Sequence, residues 1–198
     1  MNAKKLDVKD LINVAVFTIL IFVVTFVSGM IGFIPILMPV VPVLGGLLTG
    51  SLYMLFATKI RKSGMLFIEQ LIISLLFAAT GHGPWIVLTA VIFGLCGEYI
   101  LKKGNYISIK HARLAFSVAT FTALGNWLPI FLARDAYIES MIKAGYGKEF
   151  ADKMMSVLPN WSLPLLLLGG FIGMYIGCTI GIKLLNKHFV KAGMIKGI

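Results

Sequence analysis

The sequence predicts an all-α integral membrane protein: six transmembrane helices, with an extracytoplasmic loop and helical cap between the fifth and the sixth. Three observations carry this reading. Hydrophobic residues make up 59% of the 198-residue chain and charged residues 13%, with a mean hydropathy of +0.94, far more apolar than a soluble domain with one core requires. The apolar residues form six runs long enough for a hydrocarbon core of ~30 Å, which takes ~20 helical residues and tolerates ~17 to 25. The charges fall almost wholly between those runs. No composition shift divides the chain, so residues 1–198 are read as a single membrane domain.

Counted on that ruler, the spans lie at about 10 to 30, 43 to 59, 64 to 80, 85 to 101, 112 to 132 and 162 to 185. Asp7 and Asp10 form an acidic cap for the first, where the amide-rich helix start favours negative charge. Lys4, Lys5 and the small residues Val27-Ser28-Gly29 loosely resemble a signal peptide, but the apolar run exceeds a typical h-region, so cleavage is not expected. Met30 to Pro42, with Pro35, Pro39 and Pro42, excludes a regular helix. Irregular backbone near a membrane is tolerated only where protein covers it or it lines a cavity, so this segment is expected at the mouth of one.

Gly46 and Gly50 in the second span, and Ala15 with Thr18 in the first, are small-residue faces that offer docking surfaces for a partner subunit. Glu69 lies in the third span, and His82 follows at a turn between Gly81 and Gly83, before Pro84 and Trp85. Glu98 sits near the end of the fourth. The fifth ends in Asn126-Trp127-Leu128-Pro129, and the cap begins with Arg134-Asp135-Ala136-Tyr137. Residues 136–158 carry apolar side chains near helical spacing, interrupted by Gly145 and Gly147, which predicts one or two short amphipathic helices. The cap closes on Pro159-Asn160-Trp161. Gly169, Gly173, Gly177 and Gly181 then recur every fourth residue along the sixth span. Such a ridge serves either close packing within the chain or a partner's helix. Cys96 and Cys178 lie apart inside apolar runs and read as small packing residues; neither a disulfide framework nor a metal site is indicated.

Orientation follows from the basic residues, which stay on the cytoplasmic side. All but four of the 18 Lys and Arg, among them Lys9, Lys59, Arg61, Lys62, Lys102, Lys103, Lys183 and Lys191, fall on alternate loops and the termini. Both termini are therefore expected in the cytoplasm of a multi-pass plasma membrane protein. The other side holds Arg134, Lys143, Lys148 and Lys153, matched by Asp135, Glu139, Glu149 and Asp152. A basic inner face beside anionic lipid accounts for the net charge of +10 without nucleic acid.

His82, Trp85, Asn126, Trp127, Arg134, Asp135, Tyr137, Asn160 and Trp161 all fall at turns or helix ends at about one depth on the outer side. Aromatic walls with a few fixed polar groups suit a small-molecule pocket. An interfacial aromatic belt also explains Trp85 and Trp161, but not the His and Asn residues beside them. Arg134 and Asp135, adjacent in sequence, also read as a pair that neutralise one another. Catalysis finds less support. The 13 positions from Glu69 to His82 separate them by ~20 Å along a helix, so they share no acid–base site. No H-E-x-x-H, G-x-S-x-G or Walker A pattern is present, and no catalytic residue or cofactor is expected.

Lys5-Leu6-Asp7-Val8-Lys9-Asp10-Leu11-Ile12-Asn13, Gly32-Phe33-Ile34-Pro35, Thr80-Gly81-His82-Gly83, Arg134-Asp135-Ala136-Tyr137, Pro159-Asn160-Trp161 and Lys187-His188-Phe189-Val190-Lys191-Ala192-Gly193 together carry a resemblance over nearly the whole chain. The chain resembles the substrate-binding S components of energy-coupling factor (ECF) transporters, in particular the MptD-type (Trep_Strep) family. That resemblance implies a six-helix subunit that captures a vitamin-like micronutrient at its outer face. It implies association with a membrane coupling protein, the T component, and two cytoplasmic ATPases, and a toppling motion that carries the ligand inward. Many S components present Ala-x-x-x-Ala in the first helix for coupling; here Ala15 fits that pattern and Ile19 departs from it. Two other readings of the chain are a membrane enzyme or chaperone acting on lipid or peptide, which requires a cleft joining Glu69 or Glu98 to a nucleophile, and a self-sufficient secondary transporter, for which no inverted repeat is visible.

Overall fold

The computed structural model describes residues 6–190; Lys4, Lys5, Lys191, Lys196 and the Lys191-Ala192-Gly193 end of the closing motif lie outside the described residues. Helix α1 runs Val8–Gly29, α2 Val41–Lys59, α3 Met65–Phe77, α4 Trp85–Lys103, α5 Ile109–Ala119, α6 Leu124–Leu132, α7 Arg134–Lys143, α8 Lys148–Val157 and α9 Leu163–Leu184. Six helical stretches among these residues are long and apolar enough to cross a membrane: Val8–Phe33, Pro35–Lys59, Met65–His82, Trp85–Lys103, Ile109–Leu132 and Asn160–Lys187. The protein is an all-α, six-span membrane protein.

Two spans are broken where the sequence reading drew continuous helices. The third widens after Phe77 into a π-type turn, Ala78–His82, that ends because Gly81 takes a φ of +97°, open to glycine at no steric cost. The fifth divides into α5 and α6 at a 3₁₀ turn, Thr120–Ala123. Thr89 of α4 donates its hydroxyl to the Thr122 carbonyl at 2.7 Å, so one carbonyl at the break is satisfied from a neighbouring helix. Met30–Phe33 and Pro35–Val40 are 3₁₀ turns, in keeping with the three prolines, although the irregular segment ends earlier than expected: Pro42 lies in the first turn of α2, where its missing N–H costs nothing.

The tightest contact is between α2 and α9. A Cβ built on Gly46 would stand 2.5 Å from the Met174 amide nitrogen, and one on Gly177 2.7 Å from the Gly46 carbonyl oxygen, so any side chain there forces the helices apart. The glycine ridge of the sixth span is thus spent on packing within the chain. This corrects the assignment of Gly46 and Gly50 to a partner: both are buried against α9. Thr18 is corrected likewise. It is fully buried on the inward face of α1 with Val14, Phe17 and Ile21, and its hydroxyl donates to the Val14 carbonyl. Ala15 is half-buried, while Val16, Ile19 and Val23 are exposed. Cys178 packs in the core, whereas Cys96 is exposed and is not the packing residue expected.

The acidic residues near the uncapped end hold loops to helices. Asp7 and Asp10 form a reciprocal capping box on α1, and Lys62 from the α2–α3 loop bridges both carboxylates, reaching Asp7 at 2.9 Å. The Lys62 ammonium, with the Asp10 amide, holds the Asp7 carboxyl down to about 2. Glu98 accepts hydrogen bonds from the backbone N–H groups of Gly64, Leu66 and Phe67 at 2.6, 3.1 and 3.4 Å, capping α3 from a neighbouring helix. Tyr106 donates to the same carboxylate at 2.8 Å, and burial pushes its phenol up to about 12, so it remains a donor.

Candidate functional site

At the end of the bundle opposite these loops, α7 and α8 lie over the helix ends. Gly145, with a φ of +93°, separates the two short helices; α8, which buries Ala151, Met154 and Met155 on one face, is the amphipathic one of the one or two that the sequence predicts, while α7 buries Met141 alone. Met154 and Leu158 are fully buried in a second apolar cluster with Trp127, Ile130 and Leu166, and α8 packs on the Pro35–Val40 turn. Apolar burial of this extent, at ~25 cal/mol per Å², makes the segment a packed cap rather than a solvated loop.

Beneath the cap is a cavity of about 300 Å³. Its walls come from α1, the two 3₁₀ turns, α2, α3 with its π-type turn, α4, α5, the Thr120–Ala123 break, α6, α7 and α9. Residues of both breaks line it: His82 from one, and Thr120, Thr122 and Ala123 from the other. Aromatic rings of Tyr53, Phe77, Phe116, Trp127 and Tyr137 face the space. His82 stands edge-on to Phe77, with ring centroids 5.1 Å apart, and its Nδ1 lies 3.1 Å from the Thr80 hydroxyl.

The floor is a buried polar chain. Tyr53 donates its hydroxyl to Glu69 Oε1 at 3.0 Å. Gln70 donates from Nε2 to Glu69 Oε2 at 2.8 Å and to the Tyr53 oxygen at 3.1 Å. Thr122 then donates to Gln70 Oε1 at 2.7 Å. Glu69 is fully buried, and the chain supplies hydrogen bonds to both carboxylate oxygens, which a group at this depth requires. It ties α2, α3 and the break in the fifth span to one another.

Of the nine residues picked from sequence, the cavity takes four: His82, Asn126, Trp127 and Tyr137. The other five lie outside it, which corrects the expectation of one shared pocket. Trp85 and Trp161 are 53% and 69% exposed, as interfacial anchors are; Trp161 borders a separate shallow groove with Pro39. Arg134 does not pair with Asp135. Its guanidinium turns to the end of α8, donating to the carbonyls of Met155 at 2.5 Å and Leu158 at 2.9 Å and to Asn160 Oδ1 at 3.0 Å. The last turn of a helix leaves carbonyls without partners, and a forked cation satisfies several at once. Asn160 is thereby occupied in fastening the cap, and Asp135 is exposed in the first turn of α7, where the helix dipole favours it. Sequence reasoning missed Tyr53, Gln70, Thr49 and Thr122. Gln70 beside Glu69 inside an apolar run was a signal that pointed to this floor.

Asn126 differs from its neighbours. Its buried Oδ1 has no hydrogen-bond partner among the described residues, in a chain where the other polar atoms of the floor are paired. No group of three or more His, Cys, Asp or Glu that could hold a metal ion occurs among the described residues.

Residues 8–191 match the model of a family described as a hypothetical bacterial integral membrane protein (Trep_Strep). No curated protein and no solved structure matches the chain.

Proposed function

Because the chain belongs to the Trep_Strep family of bacterial integral membrane proteins, we propose that it is the substrate-binding S subunit of an energy-coupling factor importer, capturing a small micronutrient at the outer face of the plasma membrane. The observation that carries this reading is the capped cavity. Its volume, about 300 Å³, is at the small end of ligand sites, and its aromatic walls with a few fixed polar groups have the composition such sites require. The basic residues of the uncapped end, Lys9, Lys59, Arg61, Lys102 and Lys103, orient that end to the cytoplasm and the cap outward. Uptake is driven by two cytoplasmic ATPases acting through a T component; this subunit binds its cargo without chemistry or cofactor. With Thr18, Gly46 and Gly50 occupied inside the chain, the T component meets exposed apolar surface such as that around Ala15, Val16 and Ile19 on α1.

Affinity purification of the tagged protein from its native host tests this. Recovery of a T component and two ATPases, together with uptake that requires ATP hydrolysis, is expected. Repeated recovery of the chain alone, with uptake driven by an ion gradient, overturns the reading.

A further inference from the structure

The cavity discriminates by charge. Among the described residues its lining includes no Asp, Glu, Lys or Arg, and His82 is its one imidazole. A carboxylate, phosphate or ammonium inside it loses water and meets no fixed opposite charge, which is strongly unfavourable. The nearest acidic group, Glu69, stands behind Tyr53 and Gln70 with both oxygens already bonded.

Several hydroxyls at the space have spent their hydrogens within the chain, while Trp127 and Tyr137 bring a single N–H and a single O–H to the same lining. Ser28 and Thr49 donate their hydrogens to the carbonyls of Thr25 and Gly45, Thr120 to Ser117, and Thr122 to Gln70. What these hydroxyls hold in reserve is lone pairs. Both hydrogens of the Gln70 amide are taken by Glu69 and Tyr53. Asn126 alone brings an uncommitted primary amide, with a donor and an acceptor side by side.

We propose that the ligand is an uncharged small molecule held without an ion pair, and that Asn126 reads a paired donor–acceptor edge on it, such as that of a lactam, a carboxamide or an amino-substituted nitrogen heterocycle. A bidentate amide contact fixes orientation at one edge while the rings of Trp127 and Tyr137 cover the faces. The proposal rests on the reading of the cavity as a ligand site, and extends it to the class of compound admitted.

The test uses the full-length protein in nanodiscs and yeast extract separated at pH 7 into anion-retained, cation-retained and unretained fractions. Thermal stabilisation and quenching of tryptophan fluorescence are read for each. The expected result is that the unretained fraction alone stabilises the wild type, and that Asn126→Leu and Asn126→Asp each need at least tenfold more of that fraction, while Trp161→Ala, outside the cavity, responds as the wild type does. Activity in a charged fraction overturns the proposal and leaves the cavity as a binding site. An undiminished response in both Asn126 variants, with wild-type melting in the absence of extract, overturns the role of Asn126. If no fraction acts on the wild type, both the proposal and the binding-subunit reading on which it rests are overturned. The fractionation needs no variant, so misfolding of either Asn126 substitution does not compromise it.

Discussion

Arg134 separates fastening from binding. In sequence it stood among aromatic and polar candidates for a pocket; in space its three hydrogen bonds join the start of α7 to the end of α8 and to Asn160. Hydrogen bonds from a charged group contribute about 1.5–3 kcal/mol, and their loss leaves two carbonyls without a donor. Arg134→Ala is therefore expected to raise amide hydrogen exchange across residues 148–158 by about tenfold or more, since ~1.4 kcal/mol is a factor of ten in the opening equilibrium. Arg134→Lys recovers only part of this, because an ammonium does not reproduce the fork. Unchanged exchange in Arg134→Ala would mean that apolar packing alone holds the cap.

At the scale of elements, the α2–α9 seam is the most closely packed part of the molecule. Gly46, Gly50, Gly173 and Gly177 bring the two backbones together. Gly177→Leu drives a side chain toward the carbonyls of Gly46 and Leu47, which cannot yield as a flexible side chain can. Overpacking typically costs about 1–3 kcal/mol, and more against backbone. A clearly lower melting temperature in detergent is expected, while Ile176→Leu, one residue away on the exposed face, melts as the wild type does. Similar melting of both variants would show that the helices separate freely. The turn after Phe77 was legible in part, since Gly81 and His82 mark its end, but the 3₁₀ turn Thr120–Ala123 was not: it carries no glycine or proline, and its Thr122 carbonyl takes a bond from Thr89 of another helix.

Across the whole molecule, charge and packing are segregated by end. Lys62 with its two aspartates, and Glu98 with the start of α3, secure the uncapped end. The opposite end places a cap of mixed charge over the cavity. With the proposed orientation, a single cysteine at Lys148, in a background lacking Cys96 and Cys178, is labelled by a membrane-impermeant maleimide in intact cells. One at Lys102 reacts only after permeabilisation. The reverse pattern places the cap in the cytoplasm and removes the premise of capture from outside.

Six helical spans and a helical cap after the fifth were legible from the residues alone, because hydropathy, proline placement and the distribution of Lys and Arg are local properties that each act on their own segment. The sequence also placed His82, Asn126, Trp127 and Tyr137 near one depth. Which side chains share a cavity was decided by tertiary structure. Arg134 was drawn to Asn160 and to the carbonyls at the end of α8, and Gly46 and Gly50 to α9. Residues from α2, α3 and the break in the fifth span met in a buried chain from Glu69 to Thr122. The physical reason is that a polar group deprived of water takes whichever partner the packing brings within hydrogen-bond reach, and that partner is fixed by the fold rather than by distance along the chain.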